Sequence, residues 1–142
     1  MAIIEVIDEH SIYRNGVRGV IEARIANCRV IEGSVSDDPA HDGNCDLVLI
    51  GSASFEHGSI ERLRHERGYN SRTAFGMLSA AHTRRAILEC LAAGFHGFIY
   101  KLDTDDELVA AVTSLLLGKM YVPRWIVNDT VAHVAQLETP RL

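Results

Sequence analysis

Short apolar runs alternate with amphipathic stretches along this chain, and the alternation predicts strands and helices in turn. Ile3 to Ile7 is apolar with one interruption, Glu5, and reads as a first strand. Ser11 can cap a helix in which Tyr13, Val17, Val20 and Ile21 share one face. Cys28 to Ile31 is a second strand, ending at Gly33. Residues 34–44 are polar and turn-rich, which predicts a loop or about one helical turn in place of a full second helix. Leu47 to Ile50 is continuously apolar, as a parallel strand covered on both faces must be. A loop follows from Gly51 to Gly58, then a short polar helix from Ile60 to Arg67. Thr73 to Leu78 is the fourth strand. His82 to Ala93 is a helix with Ala86, Ile87, Cys90 and Leu91 inward and Gly94 as its stop. Gly97 to Tyr100 is the fifth strand. Thr104 and Glu107 have capping-box spacing ahead of a stripe of Leu108, Val112, Leu115 and Leu116, which Gly118 ends. Pro123 can open an extra C-terminal helix with Val127, Val131 and Val134 on one side.

Five strands separated by crossovers predict an α/β fold with a doubly wound parallel sheet, because parallel neighbours need right-handed crossover connections. In such sheets the site lies at the carboxyl ends of the strands. Asp8 and Glu9 fall there after the first strand, Gly51 after the third, Ser79 after the fourth and Lys101 after the fifth. Residues remote in sequence are thereby expected at one edge.

Composition narrows the classes. The chain has 142 residues, 47% hydrophobic and 23% charged, which suits one soluble domain with one core. The net charge of −5 and the lack of a basic run argue against nucleic-acid binding by this domain. No apolar stretch approaches the roughly 20 residues of a membrane span, and the N-terminus enters a strand pattern with no leader signature. Cys28, Cys45 and Cys90 are odd in number and match no metal knuckle, so reduced structural thiols in the cytoplasm are expected.

Two segments carry a family resemblance. The run from Ile7 to Val17 (Ile-Asp-Glu-His-Ser-Ile-Tyr-Arg-Asn-Gly-Val) resembles the opening strand and helix of response-regulator receiver domains attached to LuxR/NarL-type transcription factors. Ala92 to Lys101 resembles their Ala-Gly-Ala-x-Gly-Tyr-x-x-Lys signature, and Leu116 to Val122 the segment after their last receiver helix. The resemblance covers residue 2 to about 122. It implies a flavodoxin-like (CheY-like) sheet of order 2-1-3-4-5.

By position, the resemblance assigns Asp8 and Glu9 to the family's Mg²⁺-binding acid pair, Ser79 to its switch hydroxyl, Phe98 to its switch aromatic and Lys101 to its phosphate-holding lysine. The phosphoacceptor aspartate falls on Gly51, and Ser52 to His57 replaces the family's Met-Pro-Gly turn. Glycine cannot form an acyl phosphate, and its lack of a carboxylate weakens any Mg²⁺ site left to Asp8 and Glu9. Lys101 then has Asp8 or Glu9 to pair with. The expectation is a pseudo-receiver with no catalytic residue and no cofactor beyond weak or vestigial Mg²⁺. It would act as a dimerisation or regulatory module of a transcriptional regulator, with a sensor kinase or another regulatory protein as partner.

Other residues offer alternatives. Ser79 can simply satisfy a backbone group. Ser52 and Ser54 are substitute phosphoacceptors, though no adjacent base activates them. His10, His57 and His82 lie on loops of the carboxyl edge and are candidates for a metal or pH-sensitive cluster. Trp125 packs back on the domain or meets a partner. A small-ligand-binding flavodoxin-like domain is a further alternative, without a Gly-rich phosphate loop to support it. The segment Gln136 to Leu142 resembles the start of the family's helix-turn-helix domain, so 1–122 is expected as the receiver and 123–142 as a linker helix leading toward a missing DNA-binding domain. Contact with DNA would need that domain.

Overall fold

The computed structural model describes residues 1–33, 44–56 and 58–126. Five strands form one all-parallel sheet: β1 (Ala2–Ile7), β2 (Cys28–Gly33), β3 (Leu47–Gly51), β4 (Ala74–Ser79) and β5 (Gly97–Tyr100). Their order is β2-β1-β3-β4-β5, the order the resemblance implies. The register places Ile7 opposite both Gly33 and Ile50, and Gly51 opposite Leu78, so the strand ends that carry the site lie level.

The helices are α1 (Ser11–Arg24), α2 (Ile60–Arg67), α3 (Arg84–Ala92) and α4 (Asp105–Leu116), with a 3₁₀ turn at Ser52–Ser54. Strand side chains alternate between two cores, as the period of two requires. Ile4, Val6, Leu47 and Leu49 pack with Val17 and Ile21 of α1 and with Val112 and Leu115 of α4. Ile7, Val48, Ile50 and Phe75 pack on the other face with Leu63 of α2 and Ile87 of α3. The α4 layer sits close to the sheet because Gly76 and Gly97 lie beneath it. An added Cβ at either would come within about 3.0 Å of a Leu115 methyl.

Several local expectations are refined. α1 begins at Ser11, with His10 in the cap position, so Ser11 is the first helical residue and not the cap. α3 starts two residues later than the periodicity suggests because the Thr83 hydroxyl accepts the Ala86 amide and fixes the helix start. Before α4 only half of the capping box forms. The Thr104 hydroxyl accepts the Glu107 amide at 3.2 Å, but the Thr104 amide is taken by the Asp103 carboxylate at 2.9 Å. The Glu107 carboxylate instead accepts the Tyr121 hydroxyl at 2.7 Å.

Glu5, the apparent interruption of β1, is buried on the α2/α3 side. Its carboxylate accepts the Tyr69 hydroxyl at 2.7 Å and Arg67 at 3.3 Å. The reduced or absent second helix falls on residues outside those described. The extra C-terminal helix begins at 124–126, and the remainder of that expectation also lies outside the described residues. Among the described residues no helix is long and apolar enough to cross a membrane.

Candidate functional site

Parallel register brings Asp8, Gly51, Ser79 and Lys101 to the carboxyl edge, as expected. Asp8 follows β1 and is about 1% exposed. Its Oδ1 accepts the His10 amide at 2.8 Å and lies 3.2 Å from His10 Nδ1. Its Oδ2 accepts Lys101 Nζ at 2.5 Å, across 93 residues of sequence. The Asp8 carbonyl accepts Arg14 of α1, whose Nε also reaches Glu32 at 3.3 Å and so ties α1 to β2. Lys101 Nζ lies 4.7 Å from the centre of the Tyr13 ring, so the cation is held between a carboxylate and a π-face. Burial holds the Tyr13 phenol well above its ordinary pKa, and the Asp8 charge adds to the effect.

Gly51 ends β3 with φ −63° and ψ 139°, ordinary extended backbone that any residue adopts. The reason for a small residue is space. A Cβ built there would lie 2.4 Å from Asp8 Oδ2 and 3.1 Å from its Cγ. With a Cα–Cβ bond of about 1.5 Å, the Gly51 Cα lies within about 4 Å of that oxygen. An acceptor position is expected roughly 6–10 Å from the Asp8 and Lys101 head groups. The shorter approach has a physical cause: with no side chain at 51, the Asp8 carboxylate turns into the space and meets Lys101 there.

The remaining assigned residues divide. Ser79 ends β4, buried, and its hydroxyl accepts the Ala81 amide at 3.1 Å, the backbone role open to it from the outset. The Ser79 carbonyl accepts the Lys101 amide at 2.8 Å, so the two strand ends are joined. Phe98 is fully buried in the core cluster with Phe75 and Ile87. Glu9 is exposed, and its carboxylate lies 3.8 Å from His10 Nε2 rather than beside Lys101, so the acid pair does not converge.

This arrangement does not fit Mg²⁺. The cation needs several free oxygen ligands, but both Asp8 oxygens already accept hydrogen bonds, one from an ammonium. Gly51 offers no carboxylate and Glu9 faces solvent. Among the described residues no group of three or more His, Cys, Asp and Glu side chains is placed to hold a metal. Of the three loop histidines, His57 lies outside the described residues, His10 serves Asp8, and His82 stacks on Tyr100.

Ser52 and Ser54 lie in the 3₁₀ turn, partly or fully exposed. The three cysteines are free thiols. Burial pushes Cys45 and Cys90 up to about 12, the behaviour of inert packing groups. Trp125 packs against the α2/α3-side core, with its ring on His82. The contacts of His82 and the return of the chain at Tyr121 carry no local sequence signal, because both depend on residues brought together by the sheet.

No family model matches the chain, and no curated protein matches it. Solved structures do. A LuxR-family DNA-binding response regulator from Silicibacter pomeroyi superposes with a TM-score of 0.71 at 28% identity, over 87% of this chain and 98% of that one. A LuxR-family two-component response regulator from Aurantimonas sp. SI85-9A1 superposes with a TM-score of 0.75 at 24% identity, over 95% and 99%. The signal receiver domain of the putative response regulator NarL from Mycobacterium tuberculosis gives 0.65 at 21% identity, over 83% and 98%. The chain thus has the CheY-like receiver fold, and its structural neighbours are LuxR/NarL-family response regulators and isolated receiver domains.

Proposed function

We propose that this chain is a receiver domain that works without aspartyl phosphorylation, as a regulatory module of a transcriptional regulator. The observation that carries the reading is the Asp8–Lys101 contact in the space beside Gly51. In a phosphorylatable receiver the acceptor side chain must enter that space, and here the Asp8 carboxylate, just past β1, occupies it, paired with the cation that would hold the phosphoryl oxygens. No nucleophile stands at position 51, and the Ser79 hydroxyl already serves the Ala81 amide. The site lacks both the group that forms the covalent bond and the free ligands that would position a phosphodonor.

Signal input and output then run through protein contacts, with a second copy of the chain or another regulatory protein as partner. Ile12 and Leu102, both large, apolar and exposed, lie beside Tyr13 and Lys101 and suit such contacts. Three unpaired thiols agree with a reducing cytoplasm. DNA would be reached through a separate reader domain; the similar protein from Silicibacter pomeroyi is a DNA-binding response regulator.

An amide-resolved NMR titration with Mg²⁺, then with Mg²⁺ and beryllium fluoride, tests the reading. The amides of Asp8, Gly51, Ser79 and Lys101 should keep their positions throughout. Saturable shifts at those residues would return phosphate or metal sensing to the pocket. Light scattering across a concentration series reads the self-association: a rise toward twice the monomer mass supports a homodimer, and a strict monomer moves the output to a different protein.

A further inference from the structure

The chain does not leave the sheet after α4. The Tyr121 backbone makes a parallel bridge to Gly97 on the outer edge of β5. Phe98 N donates to the Tyr121 carbonyl at 3.0 Å, and Tyr121 N donates to the His96 carbonyl at 3.1 Å. The Tyr121 hydroxyl, donating to Glu107, anchors the same residue to α4. The chain then turns at Pro123, whose carbonyl accepts the Ile126 amide at 3.1 Å, and Ile126 enters the α2/α3-side core at 5% exposure. Six residues therefore strap the free edge of β5 and reach the opposite helix layer from α4.

The fastening is aromatic. Trp125 meets His82 edge to face at 4.7 Å, and His82 stacks on Tyr100 at 4.3 Å and 15°. The indole Nε1 is buried and has no hydrogen-bond partner among the described residues. Among the described residues, ring contacts therefore hold the indole without the directional bond it could make. Such a contact can open. On the other side of His82, Ala81 donates to the Ser79 hydroxyl, and Tyr100 lies between its register partner Ser79 and Lys101 in the same strand end.

We infer that Tyr121–Ile126 is a latch, pinned by His82, that couples the state of the Asp8–Lys101 pocket to the part of the chain that follows residue 126. Loss of the Asp8–Lys101 contact frees the end of β5, Tyr100 shifts with it, and the His82–Trp125 contact opens. The inference rests on the proposed reading in one respect only, that this pocket is the input.

Trp125 is the one tryptophan of the sequence, so its fluorescence reports the latch directly. In the full chain, His82→Ala should raise acrylamide quenching of Trp125 at least twofold and red-shift its emission. His82→Phe keeps a stacking ring and should hold quenching near wild type. Lys101→Met and Asp8→Asn should each raise quenching toward the His82→Ala value. Far-UV circular dichroism confirms that each variant is folded, and His82 is exposed enough to be replaced without loss of core. Unchanged quenching in His82→Ala overturns the latch. Raised quenching in His82→Ala with wild-type quenching in both pocket variants overturns the coupling. Pocket shifts in the beryllium fluoride titration would instead overturn phosphate independence, and leave the latch readout standing.

Discussion

Glu5 within β1 and Asp8 just past its end are both carboxylates about 1% exposed, and among the described residues each meets a cation that has a tyrosine beside it. Glu5 takes Arg67 at 3.3 Å and the Tyr69 hydroxyl at 2.7 Å. Asp8 takes Lys101 at 2.5 Å, and Lys101 lies over the face of Tyr13. The chemistry is similar and the settings differ. Arg67 is 8% exposed and its group sits on the α2/α3 face of the sheet, away from the strand ends, whereas Lys101 is 15% exposed at the carboxyl edge. The first arrangement supports the fold where the sheet face would otherwise hold an apolar side chain. The second stands at the carboxyl edge, where its cation is nearer to solvent. Burial of a carboxylate is thus not itself the mark of a site; the mark is where along the strand it stands and whether its cation can leave.

The largest expected effect tests this contrast directly. Glu5→Ala removes the buried carboxylate that Arg67 meets at 3.3 Å, and breaking a buried pair from one side costs about 3–5 kcal/mol. Asp8→Ala should cost about 1–3 kcal/mol, because Lys101 can turn to solvent and keep its contact with Tyr13. Urea unfolding at unchanged slope reads both. Equal losses would break the comparison and make the pocket as structural as the Glu5 cluster.

A second, smaller effect sharpens the account of Gly51. Gly51→Ala forces its Cβ against Asp8 Oδ2, and overpacking of this kind costs about 1–3 kcal/mol. In an Asp8→Ala background the clash is gone. The backbone at 51 is extended, so alanine there should then stabilise by about 0.4–1 kcal/mol through the unfolded chain. The double-mutant cycle should therefore show a coupling of more than 1 kcal/mol. A Gly51→Ala cost that is the same in both backgrounds would show that Asp8 does not fill this space.

The same contrast marks what could be read from the sequence. β3 announced itself because a strand covered on both faces needs apolar residues at every position, and Leu47 to Ile50 supply them. Asp8, Ser79 and Lys101 were legible as a group because a parallel sheet brings its strand ends to one edge. The Glu5 cluster was not legible. Its partners lie 62 and 64 residues away, and a single acid in an apolar strand looks the same whether it marks an edge or a buried pair. Lys101 had Asp8 or Glu9 to choose between. Only the direction of the Asp8 side chain, set by the His10 amide, the Lys101 ammonium and the gap at Gly51, decides it. The half-formed capping box at Thr104 failed for a related reason: Tyr121, 14 residues beyond Glu107, claims the Glu107 carboxylate.

The smallest effect separates the two carboxylates by their tyrosines. Burial raises the Tyr69 phenol above its ordinary value of 10.0, and the hydrogen bond to Glu5 and the Glu5 charge raise it further, against an opposing effect of Arg67. Tyr13 is raised by burial first and by the Asp8 charge second, with no hydrogen bond to that carboxylate among the causes. In each case the folded phenol keeps its proton at a pH where the unfolded one has lost it. Stability linked to these groups is therefore intact below pH 10 and declines as pH rises above it. Glu5→Gln removes both the charge and the ionic acceptor from Tyr69, while Asp8→Asn removes only a charge from the surroundings of Tyr13. Titration of ¹³C-labelled tyrosine side chains should show a larger downward displacement for Tyr69 in Glu5→Gln than for Tyr13 in Asp8→Asn. A larger displacement at Tyr13 would mean that its phenol is bound to the pocket carboxylate. Tyr13 would then be a working member of the site rather than the surface on which Lys101 rests.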